Sequence, residues 1–139
     1  MSKAFTYLDT RELGRRKYQL LSDFAFDDVL GFGVVTAKNG FITDYASLDV
    51  LKKLLLFLFY ALLVGYGDKA ATIHDWIYRG YGIARTDGSV YYPTRKECDQ
   101  IFYRALRAEG VAKWRCILFY AGVRVGGHTS YKLVTAKAA

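Results

Sequence analysis

The sequence predicts an α+β fold, a small N-terminal antiparallel β-sheet followed by a bundle of about four α-helices, on three observations. Apolar and polar residues alternate up to about residue 47, helical spacing of apolar residues takes over after it, and glycines or capping residues punctuate that second part. In the β part the runs YQLLSDFAF (18–26), GFGVVTA (31–37) and GFITDYA (40–46) read as strands. Lys38-Asn39-Gly40 separates the last two, and Asn-Gly between β-branched and aromatic residues predicts a hairpin there.

Four helices are expected in order. Ser47 caps the first and Asp49 lies in its first turn; Leu51, Leu54, Leu55, Leu58 and Leu62 then recur at helical spacing before Gly65. Asp68 is the expected cap of the second, with Ala70, Ile73 and Ile77 on one face and Gly80 as its stop. Pro93 precedes the third, where Thr94 and Glu97 have the spacing of a capping box and Cys98, Ile101, Phe102, Ala105 and Leu106 form the buried stripe. The fourth runs from about Val111 to Val125, with Trp114, Ile117, Leu118 and Ala121 as its expected buried face.

The 139 residues are expected to form a single domain (1–139), with a β part at 1–47, a helical part at 48–127 and a short tail at 128–139. One proline and 53% hydrophobic residues leave no proline-rich linker and no composition typical of disorder. The two cysteines, Cys98 and Cys116, have no zinc-ligand spacing. No signal peptide is expected from the first residues. The apolar run from Leu54 to Val64 falls short of the roughly 20 residues needed to cross a bilayer, so the chain is not expected to be an integral membrane protein. A net charge of +7 favours anionic surroundings, and contact with anionic lipid or nucleic acid through a basic surface is one expectation. A solvated basic face is the other.

Two histidines bound any histidine chemistry, and His74, mid-helix beside Asp75, is the better candidate than His128, which follows Gly126-Gly127. Asp99 stands one turn into the third helix beside the stripe residue Cys98. If the second and third helices are antiparallel neighbours, Asp99 reaches an imidazole nitrogen of His74 and fixes its tautomer, leaving the other nitrogen to activate water. Successive helix positions diverge by about 100°, so Asp75 cannot share that bond but can border the same space and offer carboxylate oxygens to Ca²⁺. Asp44 is a second candidate ligand beside it, and a turn residue otherwise. The alternative to catalysis is a buried polar staple of His74 and Asp99 between two helices.

Four segments carry a family resemblance: FITDYAS (41–47), KAATIHDWIYR (69–79), TRKECDQIFYRALRAEGV (94–111) and FYAGVRVGG (119–127). In that order they resemble the phage and prophage family called domain of unknown function 1353, although Leu48-Asp49 stands where that family usually has a proline. The resemblance implies a bacteriophage protein, found in the virion or in the host cytoplasm during infection, with other phage proteins as partners. HDWIY (74–78) and CDQIF (98–102) are also similar to the two helical signatures of phospholipase A2. That similarity implies His74 as base, Asp99 as the carboxylate that orients it, and Asp75 as a calcium ligand. The chain departs from it at Ala71, where secreted members carry cysteine, and in having no glycine-rich calcium loop at the usual distance. Two functions follow as expectations: a virion or accessory component of the phage tail or its assembly, without catalysis, or a calcium-assisted, phospholipase A2-like hydrolase of esters.

Overall fold

The computed structural model describes residues 4–14, 17–43 and 67–126. Five strands come first: β1 (Thr10–Gly14), β2 (Lys17–Leu20), β3 (Phe24–Asp28), β4 (Gly33–Ala37) and β5 (Ile42–Thr43). Helix α1 (Asp68–Tyr78), strands β6 (Ile83–Ala84) and β7 (Val90–Tyr91), and helices α2 (Arg95–Ala108) and α3 (Lys113–Gly126) follow. The α+β class therefore holds. Three helices are present among the described residues; the first expected helix, with Ser47 and Leu51 to Val64, lies outside them, as do Asp44 and His128.

The strands form three small antiparallel sheets rather than one: β1-β2-β5, β3-β4 and β6-β7. This corrects two expectations. The run 18–26 is two strands, broken at Leu21 to Asp23, where the Asp23 carboxylate accepts the Asn39 N–H at 2.8 Å and so holds the break against the Asn-Gly turn. That turn exists, with the Phe41 N–H donating to the Lys38 carbonyl at 3.0 Å, but the strands on either side of it do not pair with each other. Instead β4 pairs with β3, placing Phe26 opposite Val35, and β5 pairs with β2, placing Tyr18 opposite Thr43. The turn hands the chain from one sheet to the next.

Alternation in β3 sends Phe24, Phe26 and Asp28 inward, and Val35 and Ala37 of β4 face the same way. These side chains meet Ile73 and Ile77 of α1, Ile101, Phe102, Ala105 and Leu106 of α2, and Phe119 and Val123 of α3 in one apolar cluster. Asp28 is admitted to it because Arg104 of α2 donates to it twice, Nε to Oδ1 at 2.7 Å and Nη2 to Oδ2 at 3.0 Å. Gly31 in the β3-β4 turn lies so close to this pair that a Cβ would meet the Asp28 carboxylate and the Arg104 guanidinium.

Each helix starts differently. In α2 both halves of the capping box are made: Glu97 N–H donates to Thr94 Oγ1 at 3.2 Å, and Thr94 N–H to Glu97 Oε1 at 2.9 Å. The expected stripe of α2 is fully buried. In α1 the expected cap, Asp68, is already the first helical residue, and the cap position is Gly67 at φ 83°, where a Cβ would stand 2.9 Å from Leu106. The free N–H groups go to Glu109, just past the end of α2, which accepts from Ala70 at 3.0 Å and Lys69 at 3.3 Å. In α3 the expected face is corrected except at Leu118, which is half-buried against the core: Cys116, Phe119 and Val123 are buried, while Trp114 and Ile117 are each 51% exposed and Ala121 is exposed. Both sets recur at helical spacing, and the tertiary docking of α3 on α2 selects the Cys116 phase.

Candidate functional site

Helices α1 and α2 pack against each other, and this places His74, mid-way along α1, opposite Asp99 in the second turn of α2. His74 Nε2 lies 2.9 Å from Asp99 Oδ1, with the two residues 2% and 0% exposed. Burial pushes the Asp99 carboxyl up, but its hydrogen bonds with His74, Tyr78 and Arg124 outweigh that effect and hold it below its ordinary value. An ionised carboxylate only accepts, so Nε2 is the nitrogen that carries the proton in this pair.

Two further donors complete the carboxylate. The Tyr78 hydroxyl donates to the same oxygen, Oδ1, at 2.6 Å, and Arg124 from the last turn of α3 donates to Oδ2 at 2.9 Å. Arg95, one turn before Asp99 on α2, stands 3.9 Å from Oδ2 and donates to the carbonyls of Val123 and Arg124. Burial first, and then the bond to Asp99, push the Tyr78 phenol well above its ordinary value, so it stays a donor at any physiological pH. The imidazole is packed between rings, with centroids 3.9 Å from Tyr78 and 4.6 Å from Phe102. Asp99 thus ties all three described helices to one point.

Asp75 takes a separate place, as the angular spacing predicts. It is buried, its Oδ2 accepts the Thr43 hydroxyl at 2.6 Å, and the Arg79 guanidinium stands 3.8 Å from the same oxygen. Arg79, the C-cap of α1, also donates to the Ile42 carbonyl at 2.9 Å, so the end of α1 pins β5. A calcium ion takes 6–8 oxygen ligands. Toward it the described residues supply the Asp75 carboxylate, already holding a hydroxyl and facing a guanidinium, and no group of three or more His, Cys, Asp or Glu side chains able to hold a metal occurs among them. The described residues do not by themselves fit a calcium site, and no chemical step is derived through one. Asp44, the other expected ligand, lies outside the described residues.

Sequence reasoning paired His74 with Asp99 and set Asp75 apart from them. It passed over Tyr78, although Tyr78 follows His74 by one helical turn and so shares its face. Arg95 stands in the same relation to Asp99, whereas Arg124 and Thr43 reach the site through tertiary packing alone.

With this geometry in place, the comparison with known families is decisive on one point: residues 18–123 match the family described as "Protein of unknown function (DUF1353)". The chain belongs to this family. The matched span runs from the second residue of β2 to the Val123 turn of α3, so His74, Asp75, Tyr78, Asp99 and the arginine Arg95 all lie inside the DUF1353 region, and Arg124 immediately follows it. Neither the curated proteins nor the solved structures contain a match to this DUF1353 chain. Among the described residues no helix is long and apolar enough to cross a membrane.

Proposed function

We propose that the chain is a small phage hydrolase acting on carboxylic esters, with His74 as general base and Asp99 and Tyr78 as the residues that position it. The observation that supports this reading is the single oxygen, Asp99 Oδ1, that accepts from both His74 Nε2 at 2.9 Å and Tyr78 at 2.6 Å. With the proton of this pair on Nε2, the base role proposed for His74 falls to its other ring nitrogen. In the proposed reaction, which requires the His74 ring, 2% exposed at rest, to be uncovered to water and ester, that nitrogen, Nδ1, takes a proton from water as the water oxygen bonds to the ester carbonyl carbon; the C–O bond to the alcohol then breaks, and the proton passes from Nδ1–H to the departing oxygen. Water and ester give acid and alcohol, and His74 returns to its starting state. Asp99 stabilises the imidazolium that forms between the two steps.

The arginines favour a second reading, in which the chain is a virion or accessory part of the phage tail or its assembly and the same cluster is a staple. Three donors from α1 and α3 on one buried carboxylate of α2, with the Arg95 charge 3.9 Å away, hold three helices together whether or not water is ever activated.

Turnover of phosphatidylglycerol vesicles and of soluble p-nitrophenyl esters, each with calcium and with chelator, separates the readings. The hydrolase reading expects turnover by the wild type that is abolished in His74→Ala with the circular dichroism spectrum unchanged. Loss of turnover on chelation, together with inactivity of Asp75→Asn, adds calcium to the mechanism; an active Asp75→Asn variant removes it. A well-folded wild type inert toward both substrates, and recovered in purified particles, overturns the hydrolase and supports the assembly part.

A further inference from the structure

The face of α2 next to the one that carries Asp99 is not closed by another element among the described residues. Lys96, Gln100, Tyr103 and Arg107 recur there about every turn, and on α3 Lys113, Ile117 and Tyr120 form a matching row. Tyr103 and Tyr120 meet edge to face, with centroids 6.1 Å apart at 84°. Above them lies an open cavity of about 420 Å³ lined by Gln100, Tyr103, Arg104, Ile117 and Tyr120. A second open cavity, also about 420 Å³, continues past Tyr103 and Arg104 to Arg107 and to Val29 and Leu30 at the tip of the β3-β4 hairpin. The two form one groove with an aromatic floor. Its walls expose apolar surface that a folded chain ordinarily covers: Leu30 is 89% exposed and Ile117 51%.

Charge marks the ends. Lys96 lies at one end of the α2 row, and Arg107, with Lys113 at the start of α3, lies at the other, against one exposed carboxylate, Asp27, in the cavity that Arg107 lines; Arg107 donates to the Val111 carbonyl at 3.0 Å, and none of the three cations forms an ion pair with a carboxylate among the described residues. Arg104 in the middle is already neutralised by Asp28. Three turns of helix separate Lys96 from Arg107, roughly 16 Å. A groove with an apolar floor and cations about three turns apart complements an amphipathic helix that carries apolar residues along one face and carboxylates toward both ends.

We propose that this groove is a docking site for an acidic amphipathic helix of a partner protein. A second copy of the chain brings the same cations to the groove and a further net charge of +7, so like charges oppose self-association. A lipid surface is flat where the groove is concave.

The test titrates the full ¹⁵N-labelled chain with a synthetic helical peptide about four turns long, with leucines on one face and glutamates toward both ends, and with the same peptide carrying lysine for glutamate. The acidic peptide should bind, with shifts concentrated at Gln100, Tyr103, Arg107, Ile117 and Tyr120. Ile117→Ser and the double variant Lys96→Glu/Arg107→Glu should each weaken it at least about tenfold. These positions are on the surface, so cross-peaks away from the substituted residues and from Val111, whose carbonyl Arg107 holds, should stay in place, and the double variant should gain affinity for the lysine peptide. Absence of binding, or equal binding of both peptides to the wild type, overturns the proposal. So does a dimer in sedimentation that Ile117→Ser dissociates, or adsorption to phosphatidylglycerol vesicles that shifts the same residues while the peptide does not.

Discussion

Asp99→Leu conserves side-chain size but withdraws the acceptor shared by His74, Tyr78 and Arg124. His74 and Tyr78 are 2% and 3% exposed, so solvent cannot replace the lost carboxylate, and each forfeited partner costs about 1–3 kcal/mol. The Arg124 side chain is 31% exposed and can turn to water, so it adds less. The total expected is about 3–5 kcal/mol, the range for breaking a buried ion pair from one side. Asp99→Asn is the sharper comparison, because His74 and Tyr78 share Oδ1 while both arginines face Oδ2. An amide with its oxygen at the Oδ1 position keeps the two buried bonds and turns its NH₂ toward the arginine that can swing away. Its cost should be about 1–2 kcal/mol. Urea unfolding at pH 7 measures both, as changes in midpoint at constant slope. Equal costs for the two variants, or an Asp99→Leu protein within about 0.5 kcal/mol of wild type, would refute the assignment of the donors to separate oxygens.

Three other outcomes are expected. Burial, opposed by the Ala70 and Lys69 amides and reinforced by Asp68, raises the Glu109 carboxyl above its ordinary 4.5, so the folded state binds its proton more tightly than the unfolded chain does. Stability from this group is therefore present below that value and lost as pH rises through the raised one; Glu109→Gln should flatten that decline relative to wild type in melting curves from acid to neutral pH. Asp99 has the opposite sign, since its depressed carboxyl contributes stability above its ordinary 3.8 that disappears only as pH falls through the lower folded value; in Asp99→Asn the acid limb of the same curves should be shallower. Arg104→Met should destabilise by about 3–5 kcal/mol in chemical denaturation, because Asp28, 1% exposed, retains only the Phe32 N–H at 3.1 Å among its described donors.

What the sequence disclosed followed the range of the interactions. The capping box and stripe of α2 depend on residues within a few turns, and both were legible. The His74–Asp99 contact was legible because helical spacing put each residue at the edge of an apolar face, even though the connection between the helices carries a β-hairpin of its own. Strand pairing was not, since Lys38-Asn39-Gly40 makes the same local turn whether β4 pairs with β5 or, as found, with β3. The phase of α3 failed for a related reason: Trp114 and Ile117 are as apolar and as well spaced as Cys116 and Phe119, and only contact with α2 distinguishes them. Arg124 illustrates the limit, because nothing adjacent to it in sequence indicates a carboxylate on another helix.

The remote cap of α1 bears on the order in which the molecule assembles. Helix α2 carries its own start signal, whereas α1 begins at a glycine and borrows a carboxylate some forty residues downstream. An eleven-residue helix without a local cap is marginal in water. A peptide spanning 93–110 should accordingly show more helix by circular dichroism than one spanning 67–80. In the intact chain, Glu109→Ala should speed amide exchange at Lys69 and Ala70 well before it affects α2. On this reasoning the histidine sits on the helix expected to form second, its start completed by a carboxylate that α2 delivers.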